Sequence, residues 1–221
     1  MNDTGYWVTE NVLSTEECDD IASELSQDRQ SRGRAGARHL MSNRSIAALA
    51  SDLRLLRIAR LPLGDAAIPY RATLFEKSGR ANWLVVWHQD TALPVELPFA
   101  SKEWGPWSTK AGIHYAHAPT WALNHIVALR VHLDSSTSEN GPLRVIPGTH
   151  QEGVLTDQQV FELARTRKCV ECIVPRGGVL AMRPLLIHSS SKAQSGAVRR
   201  VVHIEYAASL ELRRSIRLAV A

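Results

Sequence analysis

Two histidines and one aspartate, on two distant strand-like stretches, have the residue types of a metal site. The stretch WLVVWHQD ends with His88 and Asp90. Residues i and i+2 of a strand point to the same face, so these side chains project together while Gln89 points away. One histidine and one carboxylate hold a transition metal weakly. A second histidine would complete a two-histidine, one-carboxylate set with open positions on iron, and His188, which ends RPLLIH, is the best candidate.

Arg199 follows His188 by eleven residues, at the start of a second strand-like stretch, RRVVHIEYA. A guanidinium binds a carboxylate through two parallel charge-assisted hydrogen bonds, which an ammonium cannot do. The order of the four residues therefore suits a dicarboxylate such as 2-oxoglutarate, whose keto-acid end would chelate iron while its far carboxylate meets Arg199. Arg200 faces the other side of the strand and cannot share this role.

Short strands make up the elements that would position these residues. From about residue 69, segments rich in Val, Ile and aromatic residues alternate with turn residues such as Asn140-Gly141 and the RGG of 176–178. The predicted strands are YRATLFEK, WLVVWH, HIVALRVHLD, PLRVIPG, VECIVP, GVLAM and VRRVVHIEYA. This pattern predicts a mainly β protein, an antiparallel sandwich or barrel with flanking helices packed outside.

The first third of the chain predicts two helices. Ser14 and Glu17 form a capping-box pattern ahead of an apolar stripe that begins at Cys18. A second helix is predicted from residue 45 to residue 60. The basic, glycine-containing segment 31–39 between them is predicted to be a loop.

Two further segments interrupt the predicted strands. TDQQVFELAR is predicted to be a helix, because Thr156 and Gln159 suggest another capping box. Residues 94–120, with their tryptophans, prolines and glycines, are predicted to be a long irregular insertion, which in compact domains is often functional. Trp104 and Trp107 of this insertion could line the mouth of a site, or could pack the insertion itself.

Composition excludes several classes of function. The 221 residues carry a formal charge of +4 with scattered arginines, so nucleic-acid binding is not predicted. No stretch has the apolar length of a transmembrane helix, and the N-terminus lacks the features of a signal peptide. Three cysteines are too few for a disulfide framework, which predicts a reduced, cytoplasmic protein. The length favours a single domain, 1–221.

The chain also resembles a known family, the phytanoyl-CoA dioxygenase-like (PhyH) branch of Fe(II)/2-oxoglutarate oxygenases. Five stretches carry the resemblance, in family order across almost the whole chain, and ENGPLRVIPGTH is the most specific part of them. They are GYWVTENVLSTEEC, YRATLFEK, NWLVVWHQD, ENGPLRVIPGTHQEG and RPLLIHSSSKAQSGAVRRVVHIEYA.

The resemblance implies a fold and a reaction. The fold is a double-stranded β-helix (a jelly-roll, cupin-like core) over 66–221, behind a mostly helical part, 1–65. The implied reaction uses Fe(II), 2-oxoglutarate and O2 to hydroxylate a C–H bond of a small molecule, releasing succinate and CO2. The carboxylate of Asp90 favours oxygenation, because related halogenases have a small residue at that position.

The resemblance also implies residue roles. His88, Asp90 and His188 would bind iron, Arg199 would anchor 2-oxoglutarate, and Ser190 would help to hold this co-substrate.

Two basic residues of the predicted strand YRATLFEK allow more than one interpretation. Arg71 could reach the co-substrate or the substrate, or lie on a solvated strand face. Lys77 could also reach the co-substrate or the substrate, but a solvated strand face is the favoured interpretation for it.

Alternatives remain open at this stage. The four site residues could be polar strand ends exposed to water. The chain could instead be a cupin-like metalloenzyme that does not use 2-oxoglutarate, or a zinc-stabilised non-enzymatic binding module. A zinc site could be drawn from two histidines and two cysteines, but CVECIVP is strand-like and would point its cysteines to opposite faces. These four residues are His114, His117, Cys169 and Cys172.

Overall fold

The computed structural model of this protein describes residues 3–27, 32–33 (backbone only), 36–79, 81–213 and 216–221. The described helices are α1 (Thr15–Gln27), α2 (Arg44–Ala50), α3 (Leu53–Leu63), α4 (Thr120–Leu123) and α5 (Asp157–Thr166). The described strands are β1 (Tyr6–Thr9), β2 (Arg32–Gly33), β3 (Gly36–Ala37), β4 (Ile68–Lys77), β5 (Val85–His88), β6 (Ala92–Val95), β7 (Trp107–Lys110), β8 (Ile113–His117), β9 (Ile126–His132), β10 (Leu143–Val145), β11 (Val170–Cys172), β12 (Val179–Met182), β13 (His188–Ser190) and β14 (Arg199–Ala207). The prediction of a mainly β protein with flanking helices is confirmed.

Three antiparallel sheets organise these strands. The larger sheet has the order β1-β12-β9-β14-β4-β3-β2, and a smaller sheet has the order β11-β10-β13-β5. A third sheet, β6-β8-β7, is formed by the segment that follows β5. None of the described helices combines the length and the hydropathy needed to cross a membrane.

The two faces of the larger sheet differ in chemistry. Val202 and Ile204 of β14 are fully buried in the cluster that the helices cover, together with Leu25 of α1 and Leu55 of α3. Because side chains alternate along a strand, the residues between them point to the opposite side, which we call the inner face. On β14 these residues include Arg199, His203 and Glu205, so the inner face carries buried charge.

The N-terminal helix forms as the capping pattern predicts. The backbone N–H of Ser14 donates to Glu17 Oε2 at 2.7 Å, and the N–H of Glu17 donates to Ser14 Oγ at 3.1 Å. Cys18 is completely buried in the core. The helix after residue 156 is likewise confirmed, with a complete capping box between Thr156 and Gln159.

The single helix predicted over 45–60 is wrong, because the chain breaks there into α2 and α3. Asp52 starts α3 as its N-cap, accepting a hydrogen bond from the N–H of Arg54 at 2.7 Å. The break shifts the apolar stripe, so that Leu53 is 62% exposed while Leu55 and Ile58 are buried.

The loop predicted over 31–39 is wrong where this segment is described, because it contains the short strands β2 and β3. Gly36 and Ala37 pair with Phe75 and Leu74 of β4. A Cβ atom on Gly36, whose φ is +129°, would lie 1.8 Å from the carbonyl oxygen of Leu74, so this close approach requires glycine. Residues 31, 34 and 35 of the predicted loop lie outside the described residues.

The irregular insertion predicted over 94–120 is wrong in part: residues 96–106 have no regular structure, but the segment also contains the end of β6 and the antiparallel strands β7 and β8. Its tight hairpin turns at Ala111-Gly112, where both residues have positive φ, 48° and 81°. Two such residues are the geometry of a type I′ turn, for which Asn-Gly is the usual sequence signal. Because Ala111 occupies the first turn position in place of asparagine, the sequence carries no clear signal for this hairpin.

Candidate metal and co-substrate site

The two strand ends predicted to meet do so. β5 pairs with β13 so that His88 lies opposite His188, and the two ring centroids are 4.2 Å apart. Asp90 follows β5 and is fixed by its N–H, which donates to the carbonyl of Pro184 at 2.9 Å. Its carboxylate oxygens lie 3.6 Å from His88 Nε2 and 3.5 Å from His188 Nε2. One ligand atom from each residue therefore lies within 4.8 Å of the others, a group that could hold a metal ion.

Both imidazoles present the nitrogen that a metal would need. His88 Nδ1 lies 2.8 Å from the carbonyl oxygen of Val86, and His188 Nδ1 lies 2.8 Å from that of Leu186. A carbonyl can only accept, so Nδ1 carries the proton in each ring. Nε2 of each ring therefore faces Asp90, and its lone pair is free for a metal when the ring is neutral, as in metal-binding histidines.

The protonation states also suit a cation. Partial desolvation would raise the pKa of Asp90, but attraction to His188 and a hydrogen bond with His88 outweigh it and hold that pKa well below its ordinary value. Burial lowers the pKa of His188 to about 4, against the attraction of Asp90. At neutral pH the site therefore offers an ionised carboxylate and a neutral buried imidazole. Asp90 keeps 37% of its side chain exposed, so one side of the group stays accessible.

A cavity of about 90 Å³ extends from these three residues. It is bounded by apolar side chains and by three cationic ones. The lining residues are Phe75, Lys77, Trp83, Val85, His88, Asp90, Arg130, Leu143, His188, Ser190 and Arg199.

Arg199 is a buried cation at this cavity without a partner. It begins β14, opposite Lys77 of β4, and is only 2% exposed. Its Nε and Nη1 atoms have no hydrogen-bond partner among the described residues. Burial, and then repulsion from Arg130, lower its pKa to about 9. An isolated charge is costly to bury, so this guanidinium suits an anionic ligand in the cavity.

The interpretation of Lys77 as a solvated residue is wrong, because its side chain is 1% exposed. Its Nζ donates to Ser190 Oγ at 2.6 Å and also to the carbonyl of Ser191. Burial, and then repulsion from Arg199, lower its pKa to about 8. Ser190 in turn donates to the carbonyl of Gly141 at 2.9 Å, so this serine positions the lysine.

Arg130 is a site residue that sequence analysis missed. Its guanidinium lies over the ring of Phe75, with Cζ 5.3 Å from the centroid, and it donates from Nη1 to His203 Nδ1 at 3.2 Å. His203 Nε2 then lies 3.3 Å from Glu205 Oε1. The available signal was one arginine in the otherwise buried apolar strand IVALRVH.

Three other predicted site residues do not line this cavity. Arg71 lies at the far end of β4, where its Nη1 contacts Glu205 and the carbonyl of Ala92, each at 3.3 Å. Trp104 and Trp107 both pack edge-to-face on Phe99. This geometry matches the packing alternative considered for the two tryptophans.

The zinc-site alternative is not supported by the described residues, among which the group of His88, Asp90 and His188 is the metal-binding cluster found. The two histidines of β8 make hydrogen bonds to threonines, and Cys169 is exposed whereas Cys172 is buried. Burial raises the pKa of the Cys172 thiol to about 12.

Comparison with known proteins identifies the family of this chain. A sequence profile described as "Phytanoyl-CoA dioxygenase (PhyH)" matches residues 1–201. The chain belongs to this family, whose oxygenases use iron and 2-oxoglutarate. L-proline trans-4-hydroxylase from Streptomyces griseoviridis is 26% identical over 178 residues, 69% of this chain. The chain spans 59% of the length of that curated relative, and its own organisation as one domain stays a prediction.

Solved structures share the fold. EctD from S. alaskensis superposes with a TM-score of 0.69 at 23% identity, covering 93% of this chain and 73% of EctD. HygX from Streptomyces hygroscopicus, solved with nickel and 2-oxoglutarate, gives 0.66 at 17% identity, covering 93% of this chain and 82% of HygX. AviO1 from Streptomyces viridochromogenes gives 0.66 at 20% identity, covering 92% and 90%. The predicted jelly-roll core is confirmed.

Proposed function

We propose that this protein is a non-haem Fe(II)- and 2-oxoglutarate-dependent dioxygenase that hydroxylates a C–H bond of a small molecule. The observation that carries the proposal is the buried guanidinium of Arg199, for which the described residues supply no partner. It shares one cavity with a group of residues suited to a divalent metal. The family match supports the same chemistry.

The metal would be held by His88 Nε2, His188 Nε2 and the Asp90 carboxylate. Both imidazoles are oriented for this by their Nδ1 hydrogen bonds to backbone carbonyls. Bound iron, with 2-oxoglutarate and O2 as co-substrates, supplies oxidative decarboxylation to succinate and CO2 together with oxygen insertion into a C–H bond. Three protein ligands leave positions open for the co-substrates.

The co-substrate would be held by two buried cations. Arg199 would bind the far carboxylate of 2-oxoglutarate through parallel hydrogen bonds, and Lys77 would add a second charge beside it. Ser190 keeps the lysine in place. Phe75 and Leu143 give this end of the cavity apolar walls, which strengthen the ion pair by excluding water.

The proposed substrate is a small polar molecule. The curated relative hydroxylates L-proline, and EctD was solved with 5-hydroxyectoine, which supports a compound of this size. Cytoplasmic localisation stays a prediction, and it agrees with three cysteines that are all free.

The test compares Arg199→Ala with Arg200→Ala under anaerobic conditions. Arg200 is a matched control, because it faces the other side of β14 and pairs with Asp134 at 2.8 Å. We expect Arg199→Ala to weaken 2-oxoglutarate binding by about 10- to 100-fold, the value of a charge-assisted hydrogen bond. Iron should stay bound in both variants. The measurement is titration of the visible absorption band that Fe(II) and 2-oxoglutarate give together.

Two outcomes would contradict the proposal. Equal 2-oxoglutarate affinity in the two variants would contradict the proposal that Arg199 binds the far carboxylate of 2-oxoglutarate. Failure of the wild-type protein to form succinate from 2-oxoglutarate would favour a metalloenzyme of another kind.

A further inference from the structure

The inner face of the larger sheet has cations at both ends. Along β4 and β14 the cross-strand pairs are, in order, Lys77–Arg199, Phe75–Val201, Thr73–His203 and Arg71–Glu205. The first pair and the last are six residue steps apart along β14, a distance of roughly 20 Å. The cavity with Arg199 lies at one end, and Arg71 lies at the other.

The group His88, Asp90 and His188 adjoins both ends, because it lines one cavity with Arg199, and Arg71 Nη1 contacts the carbonyl of Ala92, two residues after Asp90. Burial lowers the pKa of Arg130, on the Arg199 side, to about 10, against the attraction of Asp90. Arg71, on the other side, has a raised pKa: burial opposes its charge, but Glu205 and, more weakly, Asp90 favour it. Asp90 is therefore close enough to interact with both.

Further basic residues from two distant segments surround Arg71. The ring of Tyr115 in β8 lies 5.2 Å from Arg71 Cζ and 5.0 Å from Lys110 Nζ. The hydroxyl of Tyr115 makes a 2.8 Å hydrogen bond with His39 Nε2. Arg38 precedes His39 in the chain and is close enough to lower the pKa of Lys110 and to oppose the rise in the pKa of Tyr115. Burial lowers the pKa of His39, and repulsion from Arg71, Arg38 and Lys110 lowers it further. This imidazole is therefore neutral at neutral pH.

Positive charge is in excess at this end. Glu205 balances Arg71, and it also accepts a hydrogen bond from Tyr70 at 2.9 Å. Arg38 and Lys110 make no ion pair with a carboxylate among the described residues. Two cations near Arg71 therefore remain unbalanced by a carboxylate of the described residues.

We propose that Arg38, Arg71 and Lys110, with Tyr115, bind a carboxylate of the substrate. The substrate is then a small carboxylic acid that reaches the metal group from the side opposite to Arg199. This inference rests on the proposed function and names the class of substrate. The segments 36–39 and 107–115 supply the recognition, and Glu205 keeps Arg71 extended toward it.

The experiment uses the anaerobic protein saturated with Fe(II) and 2-oxoglutarate, so that the Arg199 end is filled. A panel of small carboxylic acids, the primary amide of each acid and the matching phosphate monoesters are titrated by calorimetry. We expect acids to bind at least about 10-fold more tightly than their amides, as for a hydrogen bond to a charged group.

Lys110→Gln and Arg38→Gln are the variants of choice, because both side chains are exposed and neither substitution disturbs the core. Each should weaken acid binding by about 5-fold, the upper range for an exposed ion pair, and leave amide binding unchanged. Lys168→Gln, an exposed lysine between α5 and β11, is the matched control and should bind like the wild type.

Several outcomes would overturn the inference: amides that bind as tightly as acids, acid affinities unchanged in both variants, no acid that binds, or a preference for phosphate esters. The absorption band of Fe(II) with 2-oxoglutarate separates these outcomes from failure of the proposed function. If the band forms in wild type and variants, the co-substrate site is intact and only the carboxylate inference fails.

Discussion

At the scale of single residues, the candidate site contains groups whose charge is set by burial and by neighbouring residues in the absence of a ligand. Asp90 is ionised because its attraction to His188 and His88 outweighs desolvation, and His188 is neutral because its burial outweighs the attraction of Asp90. Arg199 is charged, but its Nε and Nη1 atoms have no hydrogen-bond partner in the part of the chain that the structure describes. Burying these charged groups lowers the stability of the fold, but it leaves a cavity that can bind a cation at Asp90 and an anion at Arg199.

Asp90→Ala should abolish stable iron binding, because it removes the one carboxylate of the group. Changing residues around a metal ligand already costs about 10- to 100-fold in affinity, so the loss of a ligand should cost more. Iron content after gel filtration is the measurement, and the exposed Asp65→Ala is the control. Normal iron content in the Asp90 variant would mean that the metal lies elsewhere.

Lys77→Met should raise the KM for 2-oxoglutarate by about 10-fold, because a charge-assisted contact is lost from an otherwise intact cavity. The exposed Lys192→Met should have no such effect.

The pH dependence gives a second readout for Lys77. Its pKa near 8 means that the ammonium is charged below that pH and loses its proton above it. The wild-type KM for 2-oxoglutarate should therefore rise as the pH rises through about 8, and that step should be missing in Lys77→Met. A step of equal size in both proteins would contradict the assignment.

At the scale of elements, strands with strong apolar patterns and helices with capping boxes were predictable from local sequence. The metal group was predictable too, because alternation in one strand and the order of distant residues are visible in the sequence. The break at Asp52 and the hairpin at Ala111-Gly112 were not predictable, since an aspartate inside a helical pattern and an alanine in a turn carry weak signals. The burial of Lys77 was not predictable either, because its hydrogen-bond partner Ser190 lies on a distant strand that only the folded sheets bring near.

Gly36→Ala tests the role of β3. The new methyl group would collide with the carbonyl of Leu74, and the positive φ would add strain of about 1–3 kcal/mol. We expect the free energy of unfolding in urea to fall by that amount. Gly79→Ala is the control, because nothing lies within 4 Å of its Cβ position. Equal stability of the two variants would mean that β3 does not hold its place on β4.

At the scale of the whole molecule, the hydrogen-bonded residues Arg130, His203, Glu205 and Arg71 connect the two ends of the inner face. They come from three adjacent strands of the larger sheet. Ligand binding at either end should therefore stabilise the same folded core.

Saturating Fe(II) and then 2-oxoglutarate should each raise the Tm of the wild type. A ligand at 100 times its Kd adds about 2.7 kcal/mol, or roughly 5–10 °C for a chain of this size. Arg199→Ala should keep the rise due to Fe(II) and lose most of the rise due to 2-oxoglutarate. An undiminished second rise would place the co-substrate away from Arg199.

The regular spacing of inner-face residues along β4 bears on which carbon of the substrate is oxidised. Each step of two residues on the inner face is about 6.8 Å, so, if Arg71 binds the substrate carboxylate as proposed, its position would set how far that carboxylate lies from the metal. The carbon that is oxidised would then be chosen by counting from the acid group. A relative with its arginine at the position of Thr73 would oxidise a shorter acid, or the same acid nearer its carboxylate.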